Sequence, residues 1–282
     1  MTNSKKAAVL MAVAALFLSF VPLAVKLIPA DSGIPTSEKL VARGLVATLV
    51  TLVLLIRKKE SIIPGKPKLL LLRVAFGTIG MILYFTALET LPLADTVIIN
   101  RLSPFFVLLF SWMFLKESLK KAQVFAIIIA FSGVALVTAP QGFSASLSKG
   151  IILALISAVF AGAAYTTLRG LRKYDSPLRV VFWFSFATVL VFLPFAILNG
   201  KIPTAETILP LLGIGVAGVF GQIFMTAAYR YSEGAKVAIY GYLGVVFSIL
   251  WQILFFKEIP PVLVSTGALL VIAGGWVNYK YR

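Results

Sequence analysis

The sequence predicts an all-α integral membrane protein of ten transmembrane helices, arranged as two inverted five-helix repeats around a central cavity. Composition, the placement of basic residues and an internal repeat carry that expectation. Of 282 residues, 60% are hydrophobic and 13% charged, with a mean hydropathy of +1.00; an ordinary soluble domain is about half apolar and a quarter charged. The net charge of +16 is spread between long apolar runs and forms no stripe or patch, which argues for a lipid bilayer and against nucleic acid as partner. With no Cys and no His, thiol nucleophiles, Cys or His metal ligands and Ser-His-Asp triads are excluded. The sequence therefore predicts no metal site, no cofactor and no catalytic residues.

Apolar stretches long enough to span a bilayer, about 17–25 residues, place the helices in order. The first, 7–28, follows Lys5 and Lys6 and has the outline of a signal peptide. Its length suffices to span, and further spans follow, so it is read as a retained helix. The next four fall at 36–56, 69–89, 93–115 and 122–139, and the second half continues with 149–170, 178–198, 207–229, 234–256 and 261–279. Pro92, Pro140, Pro177, Pro203, Pro260 and Pro261 lie at or between these ends, where proline costs no helix hydrogen bond. Pro22, Pro104 and Pro194 lie inside and predict kinks.

Basic residues orient the spans, because Lys and Arg are retained on the cytoplasmic side. With the N-terminus inside, 19 basic residues fall at cytoplasmic ends, Arg73 among them, against five at outer ends (Lys26, Lys39, Lys149, Lys201 and Lys257). Arg43 and Arg101 remain within spans. This asymmetry predicts a multi-pass protein of the cell inner membrane with both termini in the cytoplasm.

Adding 141 to a position carries Gly77 to Gly218, Gly80 to Gly221, Phe106 to Phe247, Lys116-Glu117 to Lys257-Glu258 and Gly133 to Gly274, without a gap over about 60 residues. The repeat divides the chain at 1–140 and 141–282. Each unit holds an odd number of helices, so the second enters the membrane with opposite polarity. Such inverted repeats characterise secondary transporters, whose substrate sites lie near the midplane between the halves.

Leu102-Ser103-Pro104-Phe105, then Leu115-Lys116-Glu117-Ser118, the echo Phe256-Lys257-Glu258 and the glycine-bearing fifth and tenth helices resemble the drug/metabolite transporter superfamily. More narrowly, the chain is similar to its ten-helix EamA-type branch, which includes bacterial amino-acid and metabolite exporters. The resemblance spans nearly the whole chain as two copies of the unit. It implies a basket of helices around a cavity that opens alternately to each side, lined chiefly by helices one, three, four, six, eight and nine.

Arg101 leads the candidate substrate-binding residues. A charge at membrane depth costs at least about 2.5–3.5 kcal/mol and needs a partner or water; guanidinium stays ionised, and its planar fork suits a carboxylate or phosphate. Asn100 lies beside it, and Pro104 frees a backbone carbonyl one turn earlier. Arg43, about a turn and a half from Glu38, is open to two readings, substrate contact or a brace for the second helix. The repeat mates of Arg43 and Arg101 are Phe184 and Tyr242, so neither charge is repeated, as an asymmetric substrate would allow. Phe20, Tyr84, Tyr165, Trp183, Tyr240 and Tyr242 are candidates for an aromatic cavity wall, with Tyr84, Tyr240 and Tyr242 favoured because they fall on helices three and nine, and Gln222 is a candidate for a polar contact. Gln252 is read as an interhelical hydrogen bond or a ligand contact, and the glycines as close-packing faces.

All ten acidic residues lie near span ends. That leaves exchange or facilitated movement, or proton coupling through Glu89 or Asp95 if a cavity buries one of them. The expected function is alternating-access transport of a small organic metabolite, an amino acid or related carboxylate-bearing compound, by a monomer or weak homodimer. A non-transporting membrane subunit or sensor is the alternative. A lipid-active membrane enzyme would lack the groups for its chemistry.

Overall fold

Continuous apolar runs with few breakers fold as helices here because a bilayer offers no partner for backbone N–H and C=O groups. The computed structural model describes residues 3–115, 120–141, 145–231 and 239–281. Its helices are α1 (Asn3–Leu27), α2 (Thr36–Arg57), α3 (Pro67–Thr90), α4 (Leu93–Asn100), α5 (Ser103–Leu115) and α6 (Lys121–Thr138). The second half holds α7 (Ala145–Leu171), α8 (Pro177–Asn199), α9 (Ala205–Tyr231), α10 (Leu243–Phe256) and α11 (Val262–Lys280). Among the described residues ten spans are long and apolar enough to cross a membrane, with α4 and α5 together forming the fourth. The Lys116-Glu117 part of the family pattern and the start of the ninth helix at 234 fall outside the described residues.

Prolines set several boundaries. Pro67 and Pro177 occupy the first helical turns of α3 and α8, and Pro92 and Pro261 precede α4 and α11, positions where the missing N–H is of no consequence. Ser176 caps α8 by accepting from the Arg179 N–H at 3.3 Å. Pro22, Pro194 and Pro210 lie inside α1, α8 and α9, none of which they break.

Around Pro104 the outcome is sharper than a kink: the fourth span breaks at Arg101 and Leu102. The Arg101 N–H is shared between the carbonyls of Val97 and Ile98, both at 3.1 Å, and Leu102 N–H turns to Ile99 O at 3.0 Å. A second break sits at its repeat mate, Tyr242, whose N–H reaches Ile239 O at 3.2 Å before α10 begins.

The most extensive interfaces are α1 on α9, α3 on α7, α6 on α11 and α2 on α8. Shifting the chain by 141 residues exchanges the first two and maps each of the others onto itself. In the α6–α11 contact a Cβ on Gly133 would lie 2.6 Å from the Gly267 carbonyl oxygen, and one on Gly274 would lie 2.8 Å from the Ala126 carbonyl oxygen. Those two contacts are repeat mates, and both require backbone approach that only glycine permits.

An even number of crossings leaves the first and last described residues at one end, the terminal end, with the other being the far end. Four apolar clusters pack among the described residues, the two largest around Ile98, Phe105 and Val271 and around Leu40, Phe85 and Ile214. Large apolar side chains on the outer faces of the bundle, such as Ile56, Leu71, Leu198 and Leu209, are exposed, as lipid contact requires.

Candidate functional site

A cavity of about 140 Å³ lies between the halves, walled by α1, α2, α3, α4, α7, α8 and α9. Leu18, Val21 and Pro22 form its α1 wall, and Gly77, Gly80 and Ala161 line it where α3 packs on α7. Three cations line it: Arg43, Arg73 and Arg101. Among the described residues no Asp or Glu lines it.

Each arginine occupies room made by a small residue. Arg101 stands at the α4–α5 break, and its guanidinium lies against Gly244, with Nη1 3.4 Å from where a Cβ on Gly241 would sit. Arg43 lies over Gly218, whose Cβ would be 2.9 Å from Nε, and Arg73 covers Gly77. Gly77 and Gly218 are repeat mates, so the glycines that read as packing faces also make space for charge.

Arg43 and Arg73 are 7% and 2% exposed. Their guanidinium carbons lie 5.8 and 4.6 Å from the centroid of the Phe184 ring, within cation–π range. Arg43 Nη1 donates to the Met81 thioether, a weak acceptor. The Nε atoms of both arginines are buried with no hydrogen-bond partner among the described residues. Glu38, the carboxylate nearest Arg43 in sequence, instead accepts from the Lys201 backbone N–H at 3.0 Å.

Of the residues expected from sequence, Arg101, Asn100, Arg43, Tyr84 and Gln222 all line the cavity. Asn100 Nδ2 donates to Ser157 Oγ at 2.8 Å, which fixes its amide against α7. Gln222 Oε1 is buried and lacks a donor among the described residues. The expectation for span nine is corrected by the structure. Tyr240 is exposed, and the ring of Tyr242 is buried against Gly275 in the apolar core, so neither is in the cavity wall. The break at Tyr242 turns its side chain toward α11, while the matching break at Arg101 turns a cation toward the cavity.

Sequence reasoning missed Arg73, Met81 and Phe184 as cavity residues, while Tyr165, one of the span aromatics it offered, does line the cavity. Arg73 sits in the second turn of α3 and reads as a charge at the cytoplasmic end; burial shows that it points inward. Two signals were available: Gly77 lies one turn on, where a side chain at i could cover it, and Phe184 is the mate of Arg43. Tyr165 stacks on Tyr229 with centroids 5.9 Å apart, extending the aromatic wall.

Polar ties hold both ends. At the far end Lys39 pairs with Glu89 at 3.0 Å and Thr36 donates to the same oxygen, linking α2 to α3. Gln252 makes an interhelical bond there, accepting from the Ala94 N–H at 2.9 Å and so satisfying an orphan donor at the start of α4. Asp95 is buried, and neither it nor Glu89 lines the cavity. At the terminal end Asp175 accepts from the Gly65 N–H at 2.9 Å and from Arg179 Nη1 at 3.1 Å, while the Trp183 indole donates to Ile62 O at 2.9 Å.

The sequence matches the model of the EamA-like transporter family twice, over residues 5–139 and 148–279. It is 32% identical to the pseudopaline exporter CntI of Pseudomonas aeruginosa over 95% of this chain and 94% of that protein. It is also 32% identical to mouse solute carrier family 35 member G1, over 85% of this chain and 70% of the relative. A solved crystal structure matches with a TM-score of 0.74 at 20% identity, covering 97% of this chain and 96% of its own; at that identity it shows the fold alone. These relatives are transporters, not enzymes, and a cavity at the centre of ten spans is the feature such a protein requires. The chain belongs to the EamA-like transporter family, a multi-pass membrane transporter of the drug/metabolite type.

Proposed function

We propose that the chain moves a small carboxylate-bearing metabolite, an amino acid or a close relative, across the cell inner membrane by alternating access, with Arg101 holding the anionic group. The observation that carries this reading is a guanidinium at a helix break facing a central cavity that no described carboxylate lines. Arginine stays ionised, so its charge in such a place calls for an anion. Tyr84 and Gln222 complete the site, Gln222 Oε1 being free to accept from an ammonium or hydroxyl of the cargo.

Two similar, oppositely inserted halves, 1–140 and 141–282, would supply the two states. Support comes from the double family match, the exchange of interfaces under the 141-residue shift and the paired breaks at Arg101 and Tyr242. The relative named as an exporter favours outward movement.

Uptake and efflux of labelled amino acids and carboxylates in proteoliposomes, beside a melting curve, test the role of Arg101. Arg101→Ala should weaken binding by about 1.5–3 kcal/mol, roughly ten- to a hundred-fold. Arg101→Lys should restore part of it, because the charge remains and the fork is lost. Melting temperature should stay near wild type in both. Normal transport with a collapsed melting temperature would make Arg101 scaffolding.

A further inference from the structure

We propose that Arg43 and Arg73, with the Phe184 ring between them and the cavity's α8 wall, form a second anion subsite, so that the cargo carries at least two carboxylates. This deepens the reading above and rests on Arg101 taking the first.

The two subsites stand on different supports. Arg101 leans on Gly241 and Gly244 before and in α10, whereas Arg43 and Arg73 lean on Gly218, Gly77 and Phe184 of α9, α3 and α8. Arg43, Arg73, Tyr84 and Arg101 all line the same cavity, so one occupant can meet both walls.

The Arg43–Arg73 pair is incomplete as it stands. Each side chain is more than nine-tenths buried, each lines the cavity, and each leaves its Nε without a hydrogen-bond partner among the described residues. An aromatic face attracts a cation but accepts no fork of N–H bonds, and a thioether accepts poorly. Guanidinium cannot deprotonate to relieve the cost, and two like charges on one ring repel. Removing the counter-charge from a buried cation is strongly unfavourable. A carboxylate in the cavity would accept from the two guanidinium groups and offset one of their two charges, with the geometry that arginine forks favour. With three cations and no described carboxylate in the wall, a monoanion would leave two charges uncompensated, a dicarboxylate one and a tricarboxylate none.

Purified protein titrated with acetate, succinate and citrate at matched ionic strength, read by thermal shift, tests this. Wild type should bind succinate and citrate at least about ten-fold more tightly than acetate, a difference of about 1.4 kcal/mol. Arg43→Gln and Arg73→Gln should each remove that advantage, whereas Arg101→Gln should weaken all three. Without ligand, Arg43→Met and Arg73→Met should melt at or above wild type, since an unpaired buried charge is removed. Equal wild-type affinity for acetate and succinate overturns the second subsite and leaves the reading of Arg101 standing, as does a fall in ligand-free melting temperature for the methionine variants. Loss confined to the Arg43 and Arg73 variants, with Arg101→Gln like wild type, overturns the Arg101 reading instead. Wild type stabilised by none of the three overturns both.

Discussion

Phe184 shows how one residue can be read in two ways. In sequence it is an apolar side chain in a span; in the fold it is 3% exposed and faces two guanidiniums. Its ring attracts both charges through its quadrupole, and as the repeat mate of Arg43 it meets its own counterpart where α2 packs on α8. Phe184→Leu should therefore cost more than lost volume. In a double-mutant cycle with Arg73→Met, read by unfolding in detergent, the coupling should be about 0.5–2 kcal/mol. A coupling near zero would mean that the ring merely fills space.

Between residue and molecule, the breaks and close contacts of helices decide what faces the cavity. Pro104 removes the N–H that would bond to the Asn100 carbonyl, and α4 ends one residue before Arg101, which swings the cation off the regular helix path. The α6–α11 pair is held by the opposite device, unbroken helices meeting through Gly133 and Gly267. Gly267→Ala inserts a methyl group into the Gly133 carbonyl and Val137, so stability should fall by about 1–3 kcal/mol. The same substitution at Gly213, whose Cβ would meet only Ala24 at 3.6 Å, should be nearly neutral. Equal melting temperatures for the two variants would argue against the glycine contact.

Over the whole molecule, ten crossings and a 19-to-5 asymmetry of basic residues predict which side each loop faces. Tags at both termini should be reachable only from the cytoplasm, and a tag inserted between Gln141 and Ser148 only from outside. A cytoplasmic reading for the inserted tag would remove the opposed insertion of the two halves and the two-state cycle built on it.

Span number and most helix limits were legible because hydropathy and proline act locally: the third helix, expected at 69–89, runs Pro67–Thr90, and the seventh, expected at 178–198, runs Pro177–Asn199. Arg101, Asn100, Arg43, Tyr84 and Gln222 were legible as candidates because polar groups at membrane depth are costly wherever they point. The direction in which a side chain points was not legible. Arg73 lies close enough to a span end to reach water, and only the packing of α3 against α7 and α8 turns it onto Phe184. Tyr240 and Tyr242 sit on the span expected to line the cavity, yet the break before α10 leaves one exposed and buries the other against Gly275. Sequence by itself determined which residues would be expensive in a bilayer and how many helices would carry them. Tertiary structure alone decided which of those residues share a cavity, because facing depends on helix rotation, and rotation is set by contacts between residues more than a hundred positions apart.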